Sequence, residues 1–279
     1  MLNLLLAVLS SASIAIVMRL GEEKIRNNMG MFVSNYLVCS LLSFAYMDRQ
    51  SNVGSSGGIG IVLLLGIAAG VLYLGNFVLL QKNIQLNGMV LASTFMKLGV
   101  LVPTIMAIIV FKEQPKIVQI AGIVFAVTAI LVINLEKSDG SKAGNKLMLI
   151  VILLFSGITD SMANIFDKKI NVAFKDFYLL FTFGAALVCA FVLWFRNNES
   201  FCKWDILFGI LVGVPNYYSS RFLLSALHDL PAVVVYPGFS VGSIVLVTLA
   251  GVFLFNEKLS KRKIAALALI LAALVLLNI

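Results

Sequence analysis

The fold follows from two stretches of sequence, TIMAIIVFKEQPKIVQIAGIVFAVTAILVIN at residues 104–134 and TLAGVFLFNEKLSKRKIAALALILAALVLLN at residues 248–278. Each begins in an apolar run, passes through a short charged break containing Phe-x-Glu, and continues as a second apolar run that ends in Asn. A run of about 20 apolar residues is the length of a membrane-spanning helix. Each stretch therefore predicts the end of one membrane helix, a short loop and a complete second helix.

The similarity extends upstream without gaps, so that residues 78–134 align with residues 222–278 at a constant offset of 144. Apolar identities alone are weak evidence, because the composition supplies many of them by chance. The informative matches are Glu113 with Glu257 and Asn134 with Asn278; upstream of the aligned range, at offset 143, Gly66-xxx-Gly70 matches Gly209-xxx-Gly213. The pattern predicts a duplicated unit, with one repeat at residues 1–140 and the other at residues 141–279.

The composition places both repeats in a membrane. Of the 279 residues, 61% are hydrophobic and 12% are charged, whereas soluble domains have roughly 25% charged residues. The formal charge of +8 is typical of loop cations that orient membrane helices, and no basic surface with interleaved aromatic residues argues for nucleic acid. Three widely spaced cysteines and one histidine favour neither a metal site nor a cofactor.

The predicted fold class is an all-α integral membrane protein with ten transmembrane helices. Short polar segments separate the apolar runs and leave no room for an extramembrane domain. The predicted spans are residues 2–20, 29–47, 59–80, 88–111, 116–135, 147–167, 177–195, 205–227, 230–255 and 263–278. Because five spans per repeat is an odd number, the second repeat enters the membrane from the opposite side. Inverted repeats of this kind place a substrate site near the midplane, between the halves.

The whole chain resembles the ten-span EamA type of the drug/metabolite transporter superfamily. The residues that carry the resemblance are Ala226-Leu227, Pro231-Ala232, Tyr236-Pro237, Phe255-Asn256-Glu257 and an uncharged last helix that ends at Asn278, with a poorer first copy at Phe111-Lys112-Glu113. The resemblance implies a secondary carrier of small metabolites with a central cavity and with the last helix of each half at the periphery. It also implies a multi-pass location in the inner (plasma) membrane.

The sequence departs from the small multidrug members of the superfamily at one point. Those proteins use a membrane-embedded glutamate in their first helix, whereas the first span here has no acid between Met1 and Leu20. Proton coupling through that position is therefore not expected.

Ionisable residues within membrane helices are costly and mark functional sites. Lys97 lies in span 4, on one helix face with Ser93, and Pro103 follows and frees the carbonyl of Gly99. We interpret Lys97 and Ser93 as substrate-binding residues; the alternative is a lysine that extends its ammonium to the membrane interface.

Span 8 holds the most polar stretch of any span, Asn216-Tyr217-Tyr218-Ser219-Ser220-Arg221. A guanidinium flanked by tyrosines suits a carboxylate or phosphate. The candidate substrate-binding residues of this and related spans are Asn216, Tyr217, Tyr218 and Arg221, with Tyr73 and Asn76 in span 3 and Tyr236 in span 9. The alternative for Arg221 is a structural pair with Asp160.

Asp160 lies near the middle of span 6, with Ser156 and Asn164 one turn to either side. It is a candidate proton or cation carrier together with Asn164, or else a salt-bridge partner of Arg221 or Lys97. Structural pairing alone is an equal alternative.

The sequence therefore predicts a secondary transporter that moves a small polar metabolite, anionic or zwitterionic, by alternating access. The alternatives are a flippase for a lipid-linked carrier and a multidrug exporter. A membrane enzyme is not expected, since no catalytic cluster and no catalytic residue can be named.

Spans 5 and 10 lack ionisable residues in their centres and are candidates for a homodimer interface. The distribution of Lys and Arg over the loops places the N-terminus outside, whereas the family resemblance places it in the cytoplasm.

Overall fold

A computed structural model describes residues 1–47, 59–87, 89–134, 145–197, 200–255 and 261–277. Within these ranges the chain is all-helical, with no strand. The helices are α1 (Leu2–Gly21), α2 (Asn28–Ala45), α3 (Ile59–Asn87), α4 (Met89–Leu98), α5 (Leu101–Ile109), α6 (Ile117–Asn134), α7 (Lys146–Lys169), α8 (Lys175–Arg196), α9 (Lys203–Asp229), α10 (Ala232–Phe255) and α11 (Lys261–Leu277), with a short 3₁₀ turn at Val172–Phe174.

Six of these helical segments are long and apolar enough to cross a membrane: Leu2–Gly21, Asn28–Ala45, Ile59–Asn87, Lys146–Lys169, Val172–Arg196 and Ala232–Phe255. Shorter apolar helices cover Phe95–Ile109, Ile117–Val132 and Leu267–Leu277. The predicted eighth span overlaps α9, which is helical but is not among these candidates. The chain is a membrane protein with several apolar helices.

The predicted fourth span is not continuous, because it divides into α4 and α5 at Gly99 and Val100. Proline has no backbone N–H, so Pro103 cannot donate to the carbonyl of Gly99. That carbonyl instead accepts a hydrogen bond from the N–H of Val102 at 2.9 Å. The tightened turn ends α4 in the interior of the bundle.

Contacts between neighbouring helices fix their directions. Asn3 at the start of α1 donates a 2.7 Å hydrogen bond to Asp229 at the end of α9, and Ser219 donates to the carbonyl of Ala7. Helices α1 and α9 are therefore antiparallel. We call the end of the bundle that holds Asp229 the Asp229 end, and the opposite end, which holds Arg19, the Arg19 end.

Two further contacts fix the directions of α3, α5 and α7. Asn83 near the end of α3 donates a 2.9 Å hydrogen bond to the carbonyl of Met148 near the start of α7. Glu113, just after α5, forms a 3.0 Å ion pair with Lys168 near the end of α7. Following these contacts along the chain, α1, α3, α6, α8 and α10 start at the Asp229 end, and α2, α4 with α5, α7, α9 and α11 start at the Arg19 end.

Small residues allow two pairs of helices to approach closely. On α3, a Cβ at Gly66 would lie 3.2 Å from the carbonyl oxygen of Tyr178 on α8. On α9, a Cβ at Gly213 would lie 2.8 Å from the carbonyl oxygen of Asn35 on α2. Membrane helices associate through such packing of small residues. The two Gly-xxx-Gly patterns thus perform equivalent packing roles in the two halves.

The last helices of the two halves, α6 and α11, pack against each other at one side of the bundle. Gly122 of α6 lies against Ala273 and Leu277 of α11, so these helices are antiparallel. Their outer faces expose apolar side chains such as Ile117 and Val275, as expected of surfaces that face lipid.

Candidate functional site

Lys97 lies in the last turn of α4, directly before the break in the predicted fourth span. The hydroxyl of Ser156 on α7 donates a 2.8 Å hydrogen bond to the carbonyl of Met96. This bond joins the end of α4 to α7, and the same carbonyl also accepts a 3.1 Å hydrogen bond from the N–H of Gly99. Lys97 is therefore held at a helix end within the bundle.

The side chain of Lys97 lines a cavity of about 310 Å³ between α1, α4 and α10. Ser11 of α1 and Ser243 and Thr248 of α10 contribute hydroxyl groups to its wall. The hydroxyl of Ser243 is buried and has no hydrogen-bond partner among the described residues. An ammonium and an unpaired hydroxyl facing one cavity can together bind a polar ligand with an anionic group.

A second cavity, of about 290 Å³, continues from the first towards the Arg19 end. The two cavities share Ala15, Val247 and Thr248 in their walls, and the second also reaches Arg19 and Phe255. Together they form a groove along α1 and α10 that leads from Lys97 to the Arg19 end of the bundle.

Asp160 lines a separate, smaller cavity of about 30 Å³ between α3, α7, α8 and α9. Tyr73, Thr182 and Ser220 add hydroxyl groups to the wall of this cavity. The hydroxyl of Tyr236 donates a 2.7 Å hydrogen bond to the backbone carbonyl of Asp160, which ties α10 to α7. The polar residues predicted in spans 3, 6 and 9 therefore meet around Asp160.

Lys97 and Asp160 lie on the neighbouring helices α4 and α7, on either side of the break. The bond between Ser156 and Met96 brings the two segments together, with Lys97 one residue after Met96 and Asp160 one turn after Ser156. Their opposite charges interact, but no ion pair joins them in the described structure. Each charge is instead exposed to its own cavity.

Arg221 forms an ion pair with Asp176 in the first turn of α8. It also donates a 2.7 Å hydrogen bond to the hydroxyl of Tyr217, as the i,i+4 spacing of the two residues predicts. The guanidinium carbon lies 4.9 Å from the ring centroid of Tyr46, a cation–π distance. The acid that pairs with Arg221 is thus Asp176 and not Asp160, the alternative suggested by the sequence.

Other predicted residues are placed apart from the cavities. The amide of Asn216 donates a 3.1 Å hydrogen bond to Asn35, and so joins α9 to α2. The hydroxyl of Tyr218 forms a 2.8 Å hydrogen bond with that of Tyr46 at the end of α2. Both interactions hold α9 against α2 beside the Arg221–Asp176 pair.

Asn76 and Asn164 are both buried. The Oδ1 atom of Asn76 and both amide atoms of Asn164 make no hydrogen bond within the described part of the chain. Ser93 lies on α4, but its side chain falls outside the described residues.

Sequence reasoning missed several residues of this region. Asp176 lies one residue outside the predicted seventh span. Tyr46 lies near the end of the predicted second span, and nothing in the sequence marks it as a site residue. Thr182 and Tyr178, one turn apart on α8, contact the Gly66-xxx-Gly70 face of α3 and line the Asp160 cavity. That i,i+4 spacing opposite a Gly-xxx-Gly pattern is the signal that could have found them.

Glu113 closes the bundle at the Asp229 end. Its carboxylate accepts hydrogen bonds from the N–H groups of Ala232 and Val233 at the start of α10, at 3.2 and 3.1 Å. It also pairs with Lys168. Glu113 therefore caps the start of α10, whereas its counterpart Glu257 lies outside the described residues.

Two family models match the chain, one in each half. Residues 1–135 match the EamA-like transporter family, and residues 174–270 match the Small Multidrug Resistance protein family. The two matches together are consistent with an EamA-type transporter of the drug/metabolite transporter superfamily.

The chain is also similar to other proteins over nearly its whole length. A Haemophilus influenzae (strain ATCC 51907 / DSM 11121 / KW20 / Rd) protein described as uncharacterized is 22% identical over 271 residues, which cover 93% of this chain and 91% of that protein. A crystal structure of a protein 13% identical to this chain superposes with a TM-score of 0.79, and the match covers 99% of this chain and 96% of the other. At that identity the likeness shows the fold alone.

Proposed function

We propose that this protein is a secondary transporter that moves a small polar metabolite, anionic or zwitterionic, across the inner membrane by alternating access. The observation that carries the proposal is the position of Lys97. Its ammonium faces a cavity of about 310 Å³ at the point where the α4–α5 segment is broken inside the bundle. Discontinuous helices near the midplane are where secondary transporters bind their substrates.

The directions of the helices support ten spans arranged as inverted repeats. Counting α4 and α5 as one span, successive helices alternate between the two ends of the bundle. The fourth span supplies Lys97, and its equivalent α10 supplies Ser243 to the same cavity. A site built from equivalent helices of the two halves is what an inverted repeat produces.

The packing is equivalent in the two halves as well. Helix α3 packs on α7 and α8 as α9 packs on α1 and α2, and α7 packs on α4 and α5 as α1 packs on α10. This correspondence supports the repeat boundaries near residue 140. It also provides the two bodies that alternating access requires.

The two ends of the bundle differ in accessibility, as expected of a carrier that is open to one side of the membrane at a time. The groove between α1 and α10 leads from Lys97 to the Arg19 end. At the Asp229 end, the ion pairs Arg221–Asp176 and Glu113–Lys168 join α9 to α8 and the α5–α6 connection to α7. We infer that these pairs break when the site opens to the other side.

The charge of the site favours an anion or a zwitterion. The Lys97 cavity contains an ammonium and several hydroxyls but no carboxylate in its wall. Placing an unpaired cation in a membrane interior is unfavourable, and a bound anionic group would offset that cost. A cation would gain nothing there.

The test is a thermal-shift screen of the purified protein with amino acids, sugar phosphates, organic cations and lipid head groups. A ligand that binds the native state raises its apparent stability. We expect an anionic or zwitterionic class to stabilise the wild type and the Lys146→Ala control, whose lysine is exposed at the start of α7, but not Lys97→Ala. Equal stabilisation of Lys97→Ala would contradict the proposal.

A multidrug exporter is the second candidate function, because residues 174–270 match the Small Multidrug Resistance family. The first helix lacks the acid on which those proteins depend, and Asp160 of α7 is the acid that could replace it. Stabilisation of the wild type by organic cations, lost in Asp160→Asn, would favour this function. A lipid-carrier flippase would instead respond to lipid head groups that enter between α1 and α10.

We also propose that the protein forms a homodimer through α6 or α11. Their outer faces are apolar, and neither contributes a residue to the cavity walls described above. Native mass spectrometry from detergent gives the oligomeric state, and a Val124→Trp or Val275→Trp substitution, on α6 and α11 respectively, should weaken the dimer if that helix forms the interface.

A further inference from the structure

The small cavity beside Asp160 has the features of an ion site. Its volume of about 30 Å³ is far below the 310 Å³ of the Lys97 cavity, and it suits an ion or ordered water better than a metabolite. Its wall contains the carboxylate of Asp160 and the hydroxyls of Thr182, Ser220 and Tyr73. Small hard cations prefer oxygen ligands of these kinds.

Thr182 provides an independent observation that points to a ligand in this cavity. The hydroxyls of Thr104, Thr128 and Thr159 each donate to a carbonyl four residues earlier in their own helices, at 2.8 Å. Thr182 is 3% exposed, and its Oγ1, which neighbours the hydroxyl of Tyr178, makes no hydrogen bond of normal geometry among the described residues. A buried hydroxyl without a partner is unfavourable unless a ligand completes its interactions.

Because Lys97 and Asp160 carry opposite charges, a ligand bound in the Lys97 cavity affects the electrostatics of the Asp160 cavity. The groups that act on Asp160 are Lys97 of α4 and the neutral tyrosines Tyr73 and Tyr236. The positive charge of Lys97 partly offsets the negative charge of Asp160, although no ion pair joins the two within the described part of the chain. When an anionic group neutralises Lys97, Asp160 loses that partial compensation, and a cation can supply it instead.

We propose that the Asp160 cavity binds Na⁺ through Asp160, Thr182 and Ser220, and that this ion couples to the anionic substrate bound at Lys97. The coupling, but not the ion site itself, rests on the function proposed above. Binding of either ligand strengthens binding of the other, because coupling between two sites is reciprocal. Such cooperativity is the basis of symport.

The ion site can be tested without any substrate. The unfolding midpoint of purified wild-type protein is measured as NaCl replaces choline chloride or KCl at constant ionic strength. We expect a saturable rise specific to Na⁺ in the wild type and in Thr128→Val, a control that removes a hydroxyl from a peripheral helix. Asp160→Asn should lose the rise, and Thr182→Val should weaken the apparent Na⁺ affinity about tenfold, which corresponds to about 1.4 kcal/mol.

The wild-type measurement is decisive even if a variant fails to fold. An equal response to Na⁺, K⁺ and choline would overturn the proposal, and so would stabilisation that follows pH alone, since the carboxylate would then bind a proton and not Na⁺. A Na⁺ response retained in full by folded Asp160→Asn would overturn it as well.

Lys97→Met separates the ion site from the proposed substrate. Removing the ammonium leaves Asp160 without its balancing charge, so this variant should bind Na⁺ more tightly than the wild type. That result supports the ion site even if no anionic ligand is ever found for the Lys97 cavity. A weaker response to Na⁺ in Lys97→Met would contradict the charge balance on which the inference depends.

Discussion

The hydroxyl of Ser156 donates a 2.8 Å hydrogen bond to the backbone carbonyl of Met96, across the contact between α7 and the end of α4. The carbonyl also accepts a 3.1 Å hydrogen bond from the N–H of Gly99, so the serine adds a bond between helices at the end of α4. It also sets the positions of Lys97 and Asp160, which follow these residues on the two helices. The uncharged Ser156 therefore helps to fix the positions of Lys97 and Asp160 relative to each other.

Ser156→Ala should destabilise the protein by about 1 kcal/mol, because it removes a buried hydrogen bond between α7 and the end of α4. It should also reduce the thermal shift produced by an anionic ligand, since Lys97 loses its fixed position. The matched control is Ser161→Ala on the same helix, where the hydroxyl donates only to the carbonyl of Gly157 in its own helix. An equal effect of both substitutions on ligand binding would contradict the role given to Ser156.

The positions of the helices, and the break in the fourth span, follow from local features of the sequence. Apolar runs fix where helices form in a membrane, because each backbone group needs a partner within its own segment. Pro103 removes one such partner, and its consequence at Gly99 could be read without a structure. Lys97 and Asp160 could be selected as site residues for the same reason, since charges inside apolar runs are rare.

The partners of those residues could not be predicted, because they depend on which helices become neighbours. Asp176 lies at the boundary of a helix, where a shift of one residue moves it from span to loop. Its pairing with Arg221 requires that α8 and α9 meet at the Asp229 end. Thr182 looks like any helical threonine in the sequence, and only its missing hydrogen bond and its position beside Asp160 distinguish it.

Gly70→Ala should strongly destabilise the protein, whereas Gly184→Ala should not. A Cβ at Gly70 would overlap the carbonyl oxygen of Thr182 and lie 2.8 Å from the Cβ of Ala185, so α3 and α8 must separate. A Cβ at Gly184 meets no atom within 4 Å, and replacing a helical glycine by alanine typically gains about 0.5–1 kcal/mol. Unfolding midpoints in one detergent check both values; a stable Gly70→Ala would contradict the close approach of α3 and α8.

Breaking the pair between Arg221 and Asp176 should cost more than breaking a surface pair. Both side chains are largely buried, so Asp176→Asn leaves an uncompensated guanidinium, at a cost of roughly 3–5 kcal/mol. The double variant Arg221→Gln/Asp176→Asn should recover part of that loss, because no buried charge remains. Glu22→Gln is the control, since it removes the partner of Arg19 in an exposed pair that typically contributes about 0–1 kcal/mol.

The same variants of Arg221 and Asp176 test whether this ion pair closes the Asp229 end. If the pair holds that end shut, the double variant should bind ligand with a different affinity from the wild type even where its stability is restored. Unchanged affinity together with restored stability would show that the pair contributes only to folding.

Cysteines placed along the groove should react from the Arg19 end and not from the Asp229 end. Ala15 and Thr248 line both cavities between α1 and α10, and Cys39 is fully buried, so Cys189→Ser/Cys202→Ser is a suitable background. In sealed vesicles, a membrane-impermeant thiol reagent should modify Ala15→Cys and Thr248→Cys from the side on which the loop after α1 is exposed. A ligand that occupies the Lys97 cavity should slow that modification, because it fills the same groove. Equal rates of modification from the two sides of the membrane would contradict closure of the Asp229 end by the ion pairs Arg221–Asp176 and Glu113–Lys168. They would also contradict access to Lys97 from the Arg19 end alone.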